Sequence, residues 1–201
     1  MTLAPALRSG TSWLAALVAT FAVGGALAAD ASDSPTEYLD EDTAATVTVV
    51  GRPLVFALSR KDLAANARDY ATVAAASVNR AGKVDYVLIV YFWSTADPRM
   101  RPDALPSGQP LVLQADDRRI SLKLRGHSAH DAGIGKPVLA PKGVTTPPDV
   151  YGTDLGTVRF LGEARSLTLL IESEGITLNY ELWEDARPAL RAFVRHMSGG
   201  A

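Results

Sequence analysis

The 201-residue sequence contains no cysteine. That absence excludes disulfides, thiolate metal sites, a cysteine nucleophile and a lipidated N-terminal cysteine. Histidine is scarce, with three residues, and the charge balance has no basic excess: 20 Lys and Arg stand against 22 Asp and Glu, a formal net of −2. A nucleic-acid binder carries a strong basic footprint, so nucleic acid is not expected as a partner. No internal repeat is present. The apolar run Trp13–Leu27 is 15 residues long, short of the ~20 needed to cross a bilayer comfortably.

That run has the layout of an export signal. Arg8 precedes it, and Ala26-Leu27-Ala28 follows as a small-x-small cleavage pattern. Residues 1–28 therefore read as a signal peptide cleaved near Ala28, with no integral membrane span left afterwards; the competing reading is a retained anchor. Cleavage removes one basic residue and leaves a net of −3. An exported chain without disulfides reads as bacterial periplasmic or secreted, with a core that must suffice without cross-links. Residues 29–43 read as a flexible acidic leader. "DASDSPTEYLDEDT" carries six acids and no base, too little apolar surface to offset its ordering entropy, with Tyr38 and Leu39 as a docking point.

Residues 44–201 read as a single globular domain dominated by strands. "ATVTVVG" and "LVFAL" flank a Gly51-Arg52-Pro53 break. "DYATVAAASV" and "KVDYVLIVYFWST" meet across Asn79–Gly82 as a hairpin. Its first strand is rich in alanine and its second in large side chains, which lets facing layers interdigitate. "YVLIVYFW", 86 to 93, is apolar on both faces: Tyr86, Leu88, Val90 and Phe92 share one, and Val87, Ile89, Tyr91 and Trp93 the other. Such a strand belongs at the centre of a sheet with a layer on each side. "LVLQADDRRISLKL" reads as a further hairpin with Ile120, Leu122 and Leu124 inward, and "SLTLLIES" with "ITLNYELW" as the last. A short helix is expected after Thr153 or Asp154. A C-terminal helix is capped by Asp185, carries Pro188 in its first turn, and presents Leu190, Phe193, Val194 and Met197 on one face. The expected fold is mainly β (α+β): an antiparallel β-sandwich or curled antiparallel sheet with one docked C-terminal helix.

Several residues are candidates for chemistry. In the Gly/Pro-rich stretch 126–150, His127, His130 and Asp131 are the residue types that bind zinc or similar ions. Their loop context leaves the geometry unsecured, and the metalloprotease pattern with Glu after the first His is absent. "GHSAH" departs from the nucleophile elbow, having His130 where the last glycine belongs and no parallel α/β context for Ser128. "GIGKP" is not a phosphate loop, because Lys136 is followed by proline. Tyr86, Tyr91 and Trp93 could form an aromatic ligand platform or simply be core. Arg187, Arg191 and Arg195 recur every four residues, opposite the apolar face of the last helix. They could meet the acidic leader, lipid phosphates or an anionic wall polymer.

"DYATVAAASVNRAGKVDYVLIVYFWST", with "YELWEDARPALRAFV" near the end, resembles predicted exported proteins of proteobacteria with no assigned activity, some of which are lipoproteins. The resemblance implies a compartment and a lineage, and no catalytic motif. The sequence thus leads to an expectation of a non-enzymatic periplasmic binding or interaction protein of the cell envelope. Its partner would be another envelope protein or an anionic envelope polymer, no cofactor is called for, and the partner-facing parts would be the 96–110 loop, the 126–150 loop and the arginine stripe. The alternative is a small-ligand or metal-binding protein using the long loop; an enzyme comes third. A cavity lined by Tyr86, Tyr91 or Trp93 favours a ligand, whereas a closed core with an exposed apolar patch favours a protein partner.

Overall fold

The computed structural model describes Met1 and residues 33–101, 103–173 and 175–199. Residues 1–28, expected to be a signal peptide, therefore lie, Met1 apart, outside the described residues. Among those described, eleven strands form one antiparallel sheet: β1 (Thr36–Asp40), β2 (Ala45–Val49), β3 (Leu54–Ser59), β4 (Arg68–Arg80), β5 (Lys83–Ser94), β6 (Leu111–Ala115), β7 (Arg118–Leu122), β8 (Leu124–Gly126), β9 (Asp149–Thr153), β10 (Leu167–Ser173) and β11 (Ile176–Glu184). Two helices complete it, α1 (Leu155–Glu163) and α2 (Arg187–Gly199). None of the described helices is long and apolar enough to cross a membrane.

The strand order is β7-β6-β10-β11-β3-β4-β5-β9-β8, with β1 and β2 added beside β4. β7 and β8 are separated only by Lys123, so one chain segment supplies both ends of the path, and the sheet curls nearly closed. The amide of Gly152 donates to the carbonyl of Lys123 at 3.1 Å across the junction. Of the two expected architectures, the curled sheet is the one formed. β9 was not expected: its first two residues, Asp149 and Val150, close the stretch 126–150, which reads in sequence as loop.

β5 sits at the centre as its two apolar faces demand. Leu88, Val90 and Phe92 join a main core with Phe56, Leu113, Leu169 and Tyr180, and Tyr86 packs against it. Val87, Ile89 and Tyr91 join a second core on the opposite face. The β4–β5 register pairs Ala75 with Leu88, Ala74 with Ile89 and Ala71 with Phe92, small against large along the hairpin.

The layer over the second face is β1, β2 and the 127–144 segment, which contributes Ala129, Ala132, Ile134 and Val138. The leader is corrected here: within residues 29–43, expected to be flexible, Thr36–Asp40 is strand β1, paired in register with Ala45–Val49. Tyr38 packs on the second core while Leu39 faces solvent. Asp40 fastens the covering loop. Its carboxylate accepts from the amides of Gly135 (2.6 Å), Asp42 (3.1 Å) and Thr43 (3.2 Å), and these bonds, Gly135 first, hold it below the usual carboxylate range.

A carboxyl depressed in the folded state adds stability above its unfolded pKa near ~4, and that contribution is lost as pH falls through the folded value. Asp40→Asn is therefore expected to melt lower than the wild type at pH 7, with the difference shrinking towards pH ~3. Parallel melting curves across that range would contradict the role.

α1 begins at the cap Asp154, whose carboxylate accepts from the Thr157 amide at 2.8 Å. α2 starts after Asp185, whose carboxylate accepts from the Arg187 amide at 3.0 Å. The two helices pack together and bury Val158, Leu161, Leu190 and Phe193 in the main core. Close approach requires Gly162: a Cβ there would lie 3.3 Å from the side chains of Leu190 and Arg191.

Candidate functional site

Beyond the N-terminal stretch the sequence has two tryptophans, Trp93 and Trp183. Ninety residues apart, they converge on one outer face of the sheet. Trp93 on β5 is the register partner of Tyr70 on β4, and their rings stack at 4.2 Å with an interplanar angle of 11°. The indole N–H of Trp93 donates to Thr72 Oγ1 at 3.0 Å, which fixes the ring. Trp183 meets Tyr70 edge-on, with centroids 6.3 Å apart at 77°. Trp183 lies where the β11–β3 register shifts, between Leu182 and Glu184. It is 54% exposed, on the face that the alternation of β11 turns outward with Thr177, Asn179 and Glu181. The Arg68 guanidinium lies 4.7 Å from its ring centroid, a cation–π contact.

Around these rings is a groove of about 490 Å³, walled by Pro53, Val55, Leu139, Pro141, Lys142 and Glu184. A larger cleft of about 790 Å³ adjoins it, and the two share Trp93 and Lys142. The larger cleft runs between the 94–107 and 142–146 segments, with Phe92, Leu105 and Val144 as apolar wall and Ser94, Ser107, Thr145 and Thr146 as hydroxyls. Leu139 overhangs the smaller groove with φ at +48°, a left-handed conformation that is uncommon for a side chain of its size and is found where surroundings enforce it.

Two buried carboxylates hold the walls. Asp69, 2% exposed, receives Nη1 of Arg60 at 2.8 Å and Nη1 of Arg101. Arg60 also grips Asp62 at 2.8 Å and Asp103 at 3.0 Å, and its guanidinium pulls both of those carboxyls below their ordinary range. The network ties the end of β3 and the start of β4 to the 101–103 segment. Asp149, at the head of β9, receives Ser107 Oγ (3.1 Å), the Gly108 amide (2.6 Å) and His127 Nδ1 (2.8 Å).

The serine in that second set donates to the carboxylate and not to the imidazole. It is therefore not the nucleophile–base contact that activates a serine, which needs its hydroxyl on the imidazole.

The residues singled out in the sequence fall into separate places. Trp93 lies in the groove. Tyr91 is 2% exposed within the second core and Tyr86 packs on the main core, so neither faces the groove. Arg187 and Arg191 serve the fold: Arg187 Nη1 donates to the carbonyls of Ala164 and Arg165 (2.8 Å), and Arg191 Nη1 to that of Gly162 (2.7 Å). Together they satisfy backbone acceptors at and after the end of α1. Arg195 lines a shallow groove between the helices with Arg159 and Glu163.

His127 binds Asp149. Asp131 accepts from the His127 amide at 2.8 Å, and its own amide donates to Ser128 Oγ, which caps that turn. Among the described residues no group of three or more His, Asp or Glu side chains is placed to hold a metal ion, the set of His127, His130 and Asp131 included.

Two groove residues escaped sequence reading. Tyr70 could have been found by counting outward from the hairpin turn, which makes it the partner of Trp93. Trp183 falls by the alternation of β11 on the outward face with Thr177, Asn179 and Glu181, but nothing in the sequence brings that face beside Tyr70. The chain matches no family model, no curated protein and no solved structure, so the site stands on its geometry.

Proposed function

We propose that the protein is a non-enzymatic, exported binding module of the bacterial cell envelope, and that the aromatic groove with its adjoining cleft is its binding face. The observation that carries this reading is the convergence of Tyr70, Trp93 and Trp183 from three strands on the outer face of the sheet. Tyr70 and Trp93 form a small apolar cluster there with Val55 and Ala57, and Trp183 stands exposed at its edge. An exposed ring backed by such a cluster, beside mixed apolar and polar walls, suits a ligand-binding surface. A concave, pre-formed site favours a ligand or polymer strand over a flat protein interface.

Export and binding are tested separately. N-terminal sequencing of the protein recovered from the periplasm is expected to begin at Ala29; an intact N-terminus would contradict cleavage. Fractionated envelope solutes and polymers, titrated against indole fluorescence, are expected to give at least one response that Trp183→Ala removes. Silence from every fraction would contradict a binding face at this site.

A further inference from the structure

We propose that the groove and the cleft together form a trough for a neutral, β-linked carbohydrate chain. The inference rests on the binding-face reading above and adds the chemical class of the ligand.

A pyranose ring with equatorial hydroxyls has two flat C–H faces and a rim of groups that both donate and accept hydrogen bonds. It asks for an aromatic surface flanked by polar side chains of both kinds. The trough supplies both. Trp183 offers an exposed ring on the outward face of β11. Along the walls the formal charges balance: Arg101 and Lys142 against Asp103 and Glu184. Arg101 and Asp103 are moreover already paired, with the buried Asp69 and with Arg60. With no net charge in the trough, a polyanion gains nothing from long-range attraction, whereas a neutral chain rich in hydroxyls finds donors and acceptors on either side. Ser94, Thr145 and Thr146 extend the same mixed character into the larger cleft.

The nearest competitor is a proline-rich peptide, which also docks in aromatic grooves. A polyproline strand presents carbonyl acceptors and lacks backbone donors, so its groove must provide free N–H groups. The indole N–H of the stacked Trp93 is already committed to Thr72 at 3.0 Å. Glu184 would face such a peptide with nothing to accept, whereas Asp103 is held by Arg60. The two clefts meet at Trp93 and Lys142, which suits a chain of several rings better than a single sugar.

The test is calorimetric titration of the full chain with cellohexaose and chitohexaose, two neutral β-1,4-linked hexamers, alongside decaproline and polygalacturonate. At least one hexamer is expected to bind with Kd of about 1 mM or tighter. Trp183→Ala is expected to weaken it by about tenfold or more, as removal of a central aromatic anchor does, while Trp183→Phe retains part of the affinity. Ile176→Ala, exposed at the other end of β11, should bind as wild type, and unchanged circular dichroism shows that the variants fold.

If neither hexamer binds, the carbohydrate assignment is overturned. If in that case decaproline or polygalacturonate binds and Trp183→Ala abolishes it, the binding face survives with a different ligand. If a hexamer binds equally well to Trp183→Ala, the site is elsewhere and both readings fall.

Discussion

Truncating the chain after Asp185 is expected to abolish the cooperative melting transition. Residues 186–199 supply Ala186, Ala189, Leu190, Phe193 and Val194 to the main core, with Phe193 fully buried. They also carry the two arginines that satisfy the carbonyls after α1, so the loss propagates to the neighbouring helix. The Phe193→Ala variant alone should cost about 3–5 kcal/mol, the range for emptying an aromatic site in a packed core. A small domain without disulfides holds only about 5–15 kcal/mol in total, so removing the whole helix exceeds the margin. A truncated chain that melts as sharply and as high as the wild type would show that α2 is only laid against the sheet.

The second large effect is expected at Asp69. Its carboxylate is almost inaccessible and faces two guanidiniums, those of Arg60 and Arg101, both themselves largely buried. Asp69→Ala leaves two cations without this shared partner, and breaking a buried pair from one side costs about 3–5 kcal/mol. At ~2–4 °C per kcal/mol for a domain of this size, the melting temperature should fall by about 6–20 °C. The physical cause is uncompensated charge rather than lost contact area. Replacing the three together, Asp69→Leu with Arg60→Met and Arg101→Met, should therefore recover much of the stability. The recovered triple variant should nevertheless bind less well, because Arg60 and Arg101 also anchor the 101–103 segment that forms one wall of the cleft. A single Asp69→Ala variant that melts within a degree or two of the wild type would show that solvent reaches the cluster.

Much of the fold was legible because two periodicities were strong. The hairpin of β4 and β5 was readable from the Asn79–Gly82 turn, and its doubly apolar second strand required cover on both sides, which is what Phe92 and Tyr91 find on opposite faces. The C-terminal helix was readable from its cap and its i, i+3, i+4, i+7 face. β9 and β1 were not. Asp149–Thr153 is five residues at the end of a Gly/Pro-rich stretch, and it is a strand only because β5 and β8 are there to pair with it. Thr36–Asp40 carries two of the leader's acids, and composition pointed to a loose tail; its partner β2 and the Asp40–Gly135 contact supply the order.

The site was legible to a smaller degree for the same reason. Trp93 could be nominated from its own strand and the outward face of Trp183 from the alternation of β11, but a cluster assembled from β4, β5 and β11 depends on strand order. The arginine stripe shows the opposite failure. Its spacing was real, yet two of its three members, Arg187 and Arg191, face acceptors next to α1 that no helical projection contains.

The most direct measurement of the central claim is a heteronuclear NMR titration of the protein with the hexasaccharide that binds best. The indole N–H signals of Trp93 and Trp183 report on the groove. Both are expected to shift together, with amide changes confined to residues 53–55, 70–72, 93–107, 139–146 and 183–184. Indole signals that stay fixed while changes gather between α1 and α2, or nowhere, would contradict a binding face built on the three aromatic rings.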